Sequence, residues 1–173
     1  LADVMGSLPK ALYAGGEFDC RVVMPLYKDF STKYRDKLKF LGNFNVPLAW
    51  RNQYCGVYTY TLEGVIYYFL DNEYYFLRDS LYGFYDDGER FAFFSKAALV
   101  MMQFLDFYPE VLHAHDWQSA LSVIYLKTIY KNTYGFDHIK AMFTIHNIEY
   151  QGKYGKEILG DLFGLGEEYL SVL

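Results

Sequence analysis

A chain of 173 residues is long enough for one domain with an insertion, and at 53% hydrophobic residues it is too apolar to stay disordered. A formal net charge of −5 offers no electrostatic footprint for nucleic acid. No apolar run reaches the ~18 residues that span a bilayer, so neither nucleic acid nor a membrane is an expected partner.

In chain order, Asp3 to Ala14 reads as a helix, with Val4, Met5, Leu8, Ala11 and Leu12 on one face. Pro9 opposes that reading because it removes a ladder bond, and Gly15-Gly16 is the expected stop. Cys20 to Met24 reads as a strand that Pro25 ends. Asp29 to Asn45 is polar and weakly periodic, and is expected to be loop-rich. Tyr54 to Leu70 reads as a hairpin turning at Glu63-Gly64. Asp71 to Asp87 is expected to be a long loop carrying Tyr74, Tyr75, Phe76, Tyr82, Phe84 and Tyr85; loops of that length are often functional. Asp86 and Glu89 have the spacing of a capping box. Phe91, Phe94, Ala98, Leu99, Met102 and Leu105 continue that helix, and Pro109 ends it. A strand over 111–115, a helix over 119–130 and a strand over 139–145 follow, with a short helix expected after Lys153.

This alternation predicts an α/β fold with a mainly parallel, doubly wound sheet and a β-hairpin insertion. A Rossmann-like order places its first strand centrally. No strand precedes the first helix, and Leu1 is not Met, so the protein is expected to begin upstream. Cys20 and Cys55 have no Cys-x-x-Cys spacing and read as reduced core thiols of a cytoplasmic protein, with a disulfide between them left open.

Both late strands end in polar clusters. Val111-Leu112 runs into His113-Ala114-His115-Asp116-Trp117-Gln118, and Ala141 to Ile145 runs into His146-Asn147-Ile148-Glu149-Tyr150-Gln151-Gly152. The carboxyl edge of an open α/β sheet is where ligands bind, and these residue types suit a polyhydroxylated ligand. Strand alternation puts His113 and His115 on one face, but a catalytic metal needs three placed ligands and an open position. Asp116 either caps the following helix or faces a ligand. Trp117 either stacks on a sugar or packs in the core. His146 and Asn147 can bind several hydroxyls; the plainer reading is a turn built by Asn147 and Gly152. The coincidence of two sheet-edge clusters favours function. There is no Gly-x-Gly-x-x-Gly, Walker loop or Gly-x-Ser-x-Gly elbow.

Five stretches resemble one family. Leu1-Ala2-Asp3-Val4-Met5-Gly6-Ser7-Leu8-Pro9-Lys10-Ala11-Leu12 is similar to the segment after the Lys-x-Gly-Gly loop of bacterial glycogen synthases and plant starch synthases. Arg21 to Pro25 is similar to the next strand, and Leu81 to Phe84 with Asp86 to Phe94 resembles the tyrosine loop and its helix. His113 to Gln118, and Phe143-Thr144-Ile145-His146-Asn147 through Tyr150-Gln151-Gly152, resemble the two most specific motifs.

The resemblance implies a two-domain GT-B glycosyltransferase. It would transfer glucose from ADP-glucose to the non-reducing end of an α-1,4-glucan with retention, using no cofactor and no catalytic metal. Residues 1–173 would be a partial N-terminal, acceptor-side domain without its first strand and donor phosphate loop. The C-terminal domain of the same chain, absent here, would supply Arg and Lys on the diphosphate and a Glu near glucose and ribose. By the same resemblance His146 would sit at the glucose, side chain near the 6-hydroxyl and carbonyl near the anomeric carbon. Asn147 would bind glucose or shape that pocket, with Tyr150 and Gln151 extending the polar set. Asp116 would lie near the acceptor hydroxyl or reacting sugar. Trp117, Gln118 and Tyr82 would line the acceptor path, and Asp3 would lie beside the phosphate loop. The setting would be the cytoplasm of a bacterium or a plant plastid. Alternatives are another GT-B nucleotide-sugar transferase, a non-catalytic glucan-binding domain and a metal hydrolase.

Overall fold

The computed structural model describes residues 2–30 and 32–172. Leu1, with which the first motif opens and on which the unusual start rests, lies outside the described residues. The chain divides into two compact units, one of residues 1–43 and 55–81, the other of residues 44–54 and 82–173.

The first unit opens with helix α1, Ala2–Ala14, which runs through Pro9. The proline is buried, so packing of its ring offsets part of the lost hydrogen bond. Gly16, at φ 75, closes the helix in the left-handed region. A four-stranded sheet follows, built from β1 (Arg21–Pro25), β2 (Lys39–Leu48), β3 (Arg51–Leu62) and β4 (Val65–Asp71) in the order β1-β4-β3-β2, of which residues 44–54 of β2 and β3 count with the second unit. β1 lies parallel to β4, with Arg21 opposite Ile66 and Pro25 opposite Leu70. β3 and β4 form the predicted hairpin, with Leu62 opposite Val65. Glu63 (φ 51) and Gly64 (φ 85) both turn left-handed, the signature of a two-residue turn that matches strand twist. Gly64 is doubly required, since a Cβ there would lie 2.0 Å from the Tyr13 ring. Cys20 and Cys55 are free thiols; Cys55 is fully buried, and that burial raises its pKa.

Two expectations for this region fail. The loop-rich stretch before Asn45 contains a single helical turn, α2 (Thr32–Arg35), and then β2. Gly42, Asn43, Asn45 and Pro47 disguise that strand. An edge strand tolerates them, because one side of it has no ladder to break, and only Val46 and Leu48 are buried along it. The long aromatic loop contains another single turn, α3 (Glu73–Phe76), which Asn72 caps by accepting from Tyr75 N at 3.1 Å. Tyr75 and Phe76 are core residues, whereas Tyr74, Tyr82 and Tyr85 face solvent.

The second unit is built on α4 (Asp87–Phe104), β5 (Val111–His115), α5 (Trp117–Lys127) and β6 (Lys140–Thr144). β5 and β6 form a parallel pair, with Val111 opposite Lys140 and His115 opposite Thr144. The fold is thus α/β, with its parallel pairs in two sheets. α4 is buried on nearly every side, which only a central helix permits. Leu99 and Met102 of α4, Leu112 of β5 and Tyr125 and Leu126 of α5 share a core with Phe136, Ile139, Leu159 and Leu165.

The ends of α4 depart from the expected signals. Asp86 makes no side-chain cap hydrogen bond. Asp87 instead ties down the loop before the helix, accepting from Gly83 N at 2.6 Å and Phe84 N at 3.2 Å. The helix stops well before Pro109: Asp106 turns to φ 49, Phe107 N donates to Met102 O at 3.0 Å, and Asp106 N donates to Gln103 O at 3.2 Å. That pairing is a Schellman motif. β6 is not the buried strand its composition suggests, since Met142 is 52% and Phe143 43% exposed. A π-helical turn over Leu159–Phe163 and a 3₁₀ segment over Glu167–Val172 complete the unit.

Candidate functional site

β5 and β6 run parallel in register, so their carboxyl ends arrive side by side. The two polar clusters, 30 residues apart along the chain, therefore meet. The main-chain N–H of His146 donates to Asp116 Oδ1 at 2.7 Å, and Asp116 N donates to Thr144 O at 2.9 Å, extending the ladder by one bond. Asp116 has no side-chain cap bond, so the helix-capping reading of this residue is wrong. Its carboxylate reaches across to the neighbouring strand end.

That reach uses an unusual backbone. Asp116 sits at φ 57, ψ 172, a region almost reserved for glycine that costs roughly 1–3 kcal/mol. Ser119, one turn into α5, pins the corner. It accepts from His115 N at 2.7 Å, and its hydroxyl donates to His115 O at 2.7 Å. α5 begins at Trp117, two residues earlier than its periodicity suggests.

Three imidazoles stack behind the carboxylate. His113 and His115 do share a face, with ring centroids 4.0 Å apart. His115 Nδ1 lies 3.0 Å from His146 Nε2, and His113 Nε2 lies 2.8 Å from Thr144 Oγ1. Burial, reinforced by His113 and His146, pushes His115 down to about 4, while the Asp116 carboxylate works against the shift. Burial, with His146 next, also lowers His113. Both shifts favour the neutral ring. Among the described residues, no group of three or more His, Cys, Asp and Glu side chains is arranged to hold a metal.

The remaining candidates divide. Trp117 packs edge-on against Phe91 (centroids 5.1 Å apart) and near Tyr154, and Gly152, at φ 58, lies so close that a Cβ would fall 2.3 Å from the indole. Core packing thus engages much of that ring. Gln118 Oε1 is buried with no hydrogen-bond partner among the described residues. An amide oxygen in that state suits a hydroxyl donor. Asn147 builds a turn, its Oδ1 accepting from Glu149 N at 3.0 Å, and Gln151 Nε2 donates to Ile148 O at 2.6 Å. Tyr150 is exposed, as is Tyr82. The Tyr82 loop is nonetheless anchored: Asp87, which caps it, pairs with the fully buried Arg90 at 2.5 Å, and that guanidinium lies 4.8 Å from the Phe84 ring centroid. Asp3 belongs to the other unit, on the exposed first turn of α1.

Sequence reasoning placed His115 in the polar strand end and weighed it as a metal ligand, and it missed Ser119, Thr144, Asp87 and Arg90 as parts of this assembly. Arg90 left the clearest signal, a cation directly before the apolar run Phe91-Ala92-Phe93-Phe94.

The fold superimposes on the catalytic domain of starch synthase IV from Arabidopsis thaliana, solved bound to ADP and acarbose. The TM-score is 0.87 at 31% identity, over 97% of this chain and 34% of that one. The architecture is the N-terminal domain of a GT-B glycosyltransferase. Residues 1–172 match the family model described as the starch synthase catalytic domain, and the chain belongs to that family. It is 49% identical to the glycogen synthase of Lactobacillus acidophilus over 169 residues and 46% identical to that of Desulforamulus reducens over 172. These alignments take in 98% and 99% of this chain, which spans 35% and 36% of the relatives' lengths.

Proposed function

We propose that this chain forms the acceptor-side half of a retaining glucosyltransferase that moves glucose from ADP-glucose to the non-reducing end of an α-1,4-glucan. Residues 1–173 are read as a partial N-terminal domain. A C-terminal domain of the same protein would close a cleft over the ends of β5 and β6. The exposed apolar side chains of β6 fit that reading, because isolated apolar strand faces want cover.

The observation that carries the proposal is the Asp116–His146 junction. A strained residue holds a carboxylate against the main chain of a second strand end, so the two groups keep their spacing without rearranging. Preorganisation of that kind serves a reaction in which charge develops at a fixed point. His146 would face the glucose of the donor, with its carbonyl toward the anomeric carbon. Asp116 would lie on the reacting-sugar side, and Asn147 with Tyr150 and Gln151 would bound the sugar pocket. Tyr82, Trp117 and the unpaired oxygen of Gln118 would line the acceptor path. Asp3 would stand near the donor phosphates. Burial favours the neutral form of His113 and His115, so cations of the second domain would meet a departing diphosphate. No cofactor and no catalytic metal enter this scheme. The cytoplasm, or a plastid, is the compartment it suits.

The test uses the intact protein with ADP-[14C]glucose and glycogen. His146→Ala should cut kcat roughly a hundred- to a thousandfold, the cost of a lost transition-state contact, and leave glucan binding and thermal unfolding close to wild type. Turnover preserved in that variant removes the donor-site assignment. Turnover with UDP-glucose but not ADP-glucose would point to another nucleotide-sugar transferase. Glucan binding without transfer would point to a binding module.

A further inference from the structure

We infer that His115 is a positioning residue for His146: it occupies His146 Nε2 and so leaves Nδ1 as the nitrogen of that ring able to meet a ligand. The kinetic part of this inference rests on the donor-site reading above; the hydrogen-bond part does not.

Three observations carry it. His115 Nδ1 and His146 Nε2 are 3.0 Å apart. That is hydrogen-bond distance, and two nitrogens can hold it only if one carries the proton and the other does not. The rings are nearly parallel, inclined at 18°, and both stand where parallel strands end, His115 opposite Thr144 and His146 two residues past Thr144. Finally, His115 is held from behind. Its ring stacks on His113, whose Nε2 is tied to Thr144 Oγ1 at 2.8 Å, and its main chain makes two hydrogen bonds with Ser119. The groups facing His115 are therefore His113, His146, Asp116 and Ser119. Asp116 is the carboxylate among them, and its Oδ1 is engaged by His146 N.

The consequence is chemical. Which nitrogen of an imidazole carries the proton is set by the bond that the other nitrogen makes. With Nε2 engaged by a fixed partner, His146 offers a sugar hydroxyl a single, defined Nδ1 instead of two interchanging edges. His115 needs no contact with the substrate to exert this effect.

The experiment uses the intact protein with histidines labelled with 15N. A coupling across the N–H···N bond should link His115 Nδ1 to His146 Nε2. In His115→Phe that coupling should vanish and the His146 Nε2 shift should move. There kcat should fall about tenfold or more, as when the outer partner of a working imidazole is removed, with KM for ADP-glucose unchanged. His115→Asn, whose carboxamide can bond the same nitrogen, should restore much of the loss. If His115→Phe does not fold, His115→Ala gives the same comparison, and the wild-type coupling needs no variant. Absence of that coupling, or a His115→Phe enzyme with wild-type His146 shifts and turnover, overturns the inference. If His146→Ala itself keeps its turnover, the donor-site reading fails while the coupling still decides the dyad.

Discussion

Among the described residues Ala49, Glu63, Asp106 and Asp116 are non-glycine residues at positive φ, and the corners at Glu63 and Asp116 hold theirs for different reasons. At the β3–β4 hairpin, Glu63 (φ 51) precedes Gly64 (φ 85). The strain there is local, because a two-residue turn between twisted antiparallel strands needs both residues left-handed. At the β5–α5 corner, Asp116 adopts φ 57, ψ 172, which no turn type requires. Thr144 O and His146 N hold it there, both from the end of another strand. Strain explained by a turn belongs to topology. Strain held in part by tertiary hydrogen bonds from another strand marks a group placed for chemistry.

Replacing the two acidic residues tests this contrast most severely. Asp116→Gly should lower kcat about a hundredfold by removing the placed carboxylate, yet barely alter stability. Relief of roughly 1–3 kcal/mol of strain offsets a similar cost for the unsatisfied His146 N–H. Turnover and urea unfolding measured side by side check this, and a variant with wild-type turnover would break the comparison. Gly152→Ala, beside the same corner, should destabilise by about 1–3 kcal/mol, because the new methyl meets the Trp117 ring; an unchanged unfolding midpoint would show that the indole moves freely.

The Ala-to-Gly gap then measures strain directly. Asp116→Ala should be less stable than Asp116→Gly by about 1–3 kcal/mol, whereas Glu63→Ala and Glu63→Gly should differ by only ~1 kcal/mol. Equal gaps would erase the distinction. The smallest effect concerns pH. His115 titrates at about 4 in the folded chain against 6.5 for its ordinary value. Between those values the unfolded chain binds a proton that the folded chain refuses, so stability falls as pH drops through that window. His115→Asn should flatten that slope in urea midpoints taken at pH 7 and pH 5. An identical slope in the variant would assign the loss to other groups.

The periodicity of α1, the Gly16 stop, the Glu63-Gly64 hairpin and the strand at 111–115 were all legible in the sequence, because each is dictated by neighbours within a few residues. The edge strand β2 was not, because its Gly, Asn and Pro residues are admitted only by a sheet position that sequence does not display. The cap of α4 was misread for a related reason. Asp86 has the right spacing, but the loop arrives so that Asp87 receives its N–H groups. At the site, the polar strand ends gave away Asp116 and His146 as residue types in suggestive places. Their junction depends on the parallel register of β5 and β6, as do the His115–His146 pair and the rejection of Asp116 as a simple cap. Local composition chose which side chains stand at the sheet's edge; only tertiary hydrogen bonds, able to hold a backbone in a conformation it avoids alone, decided what those side chains touch.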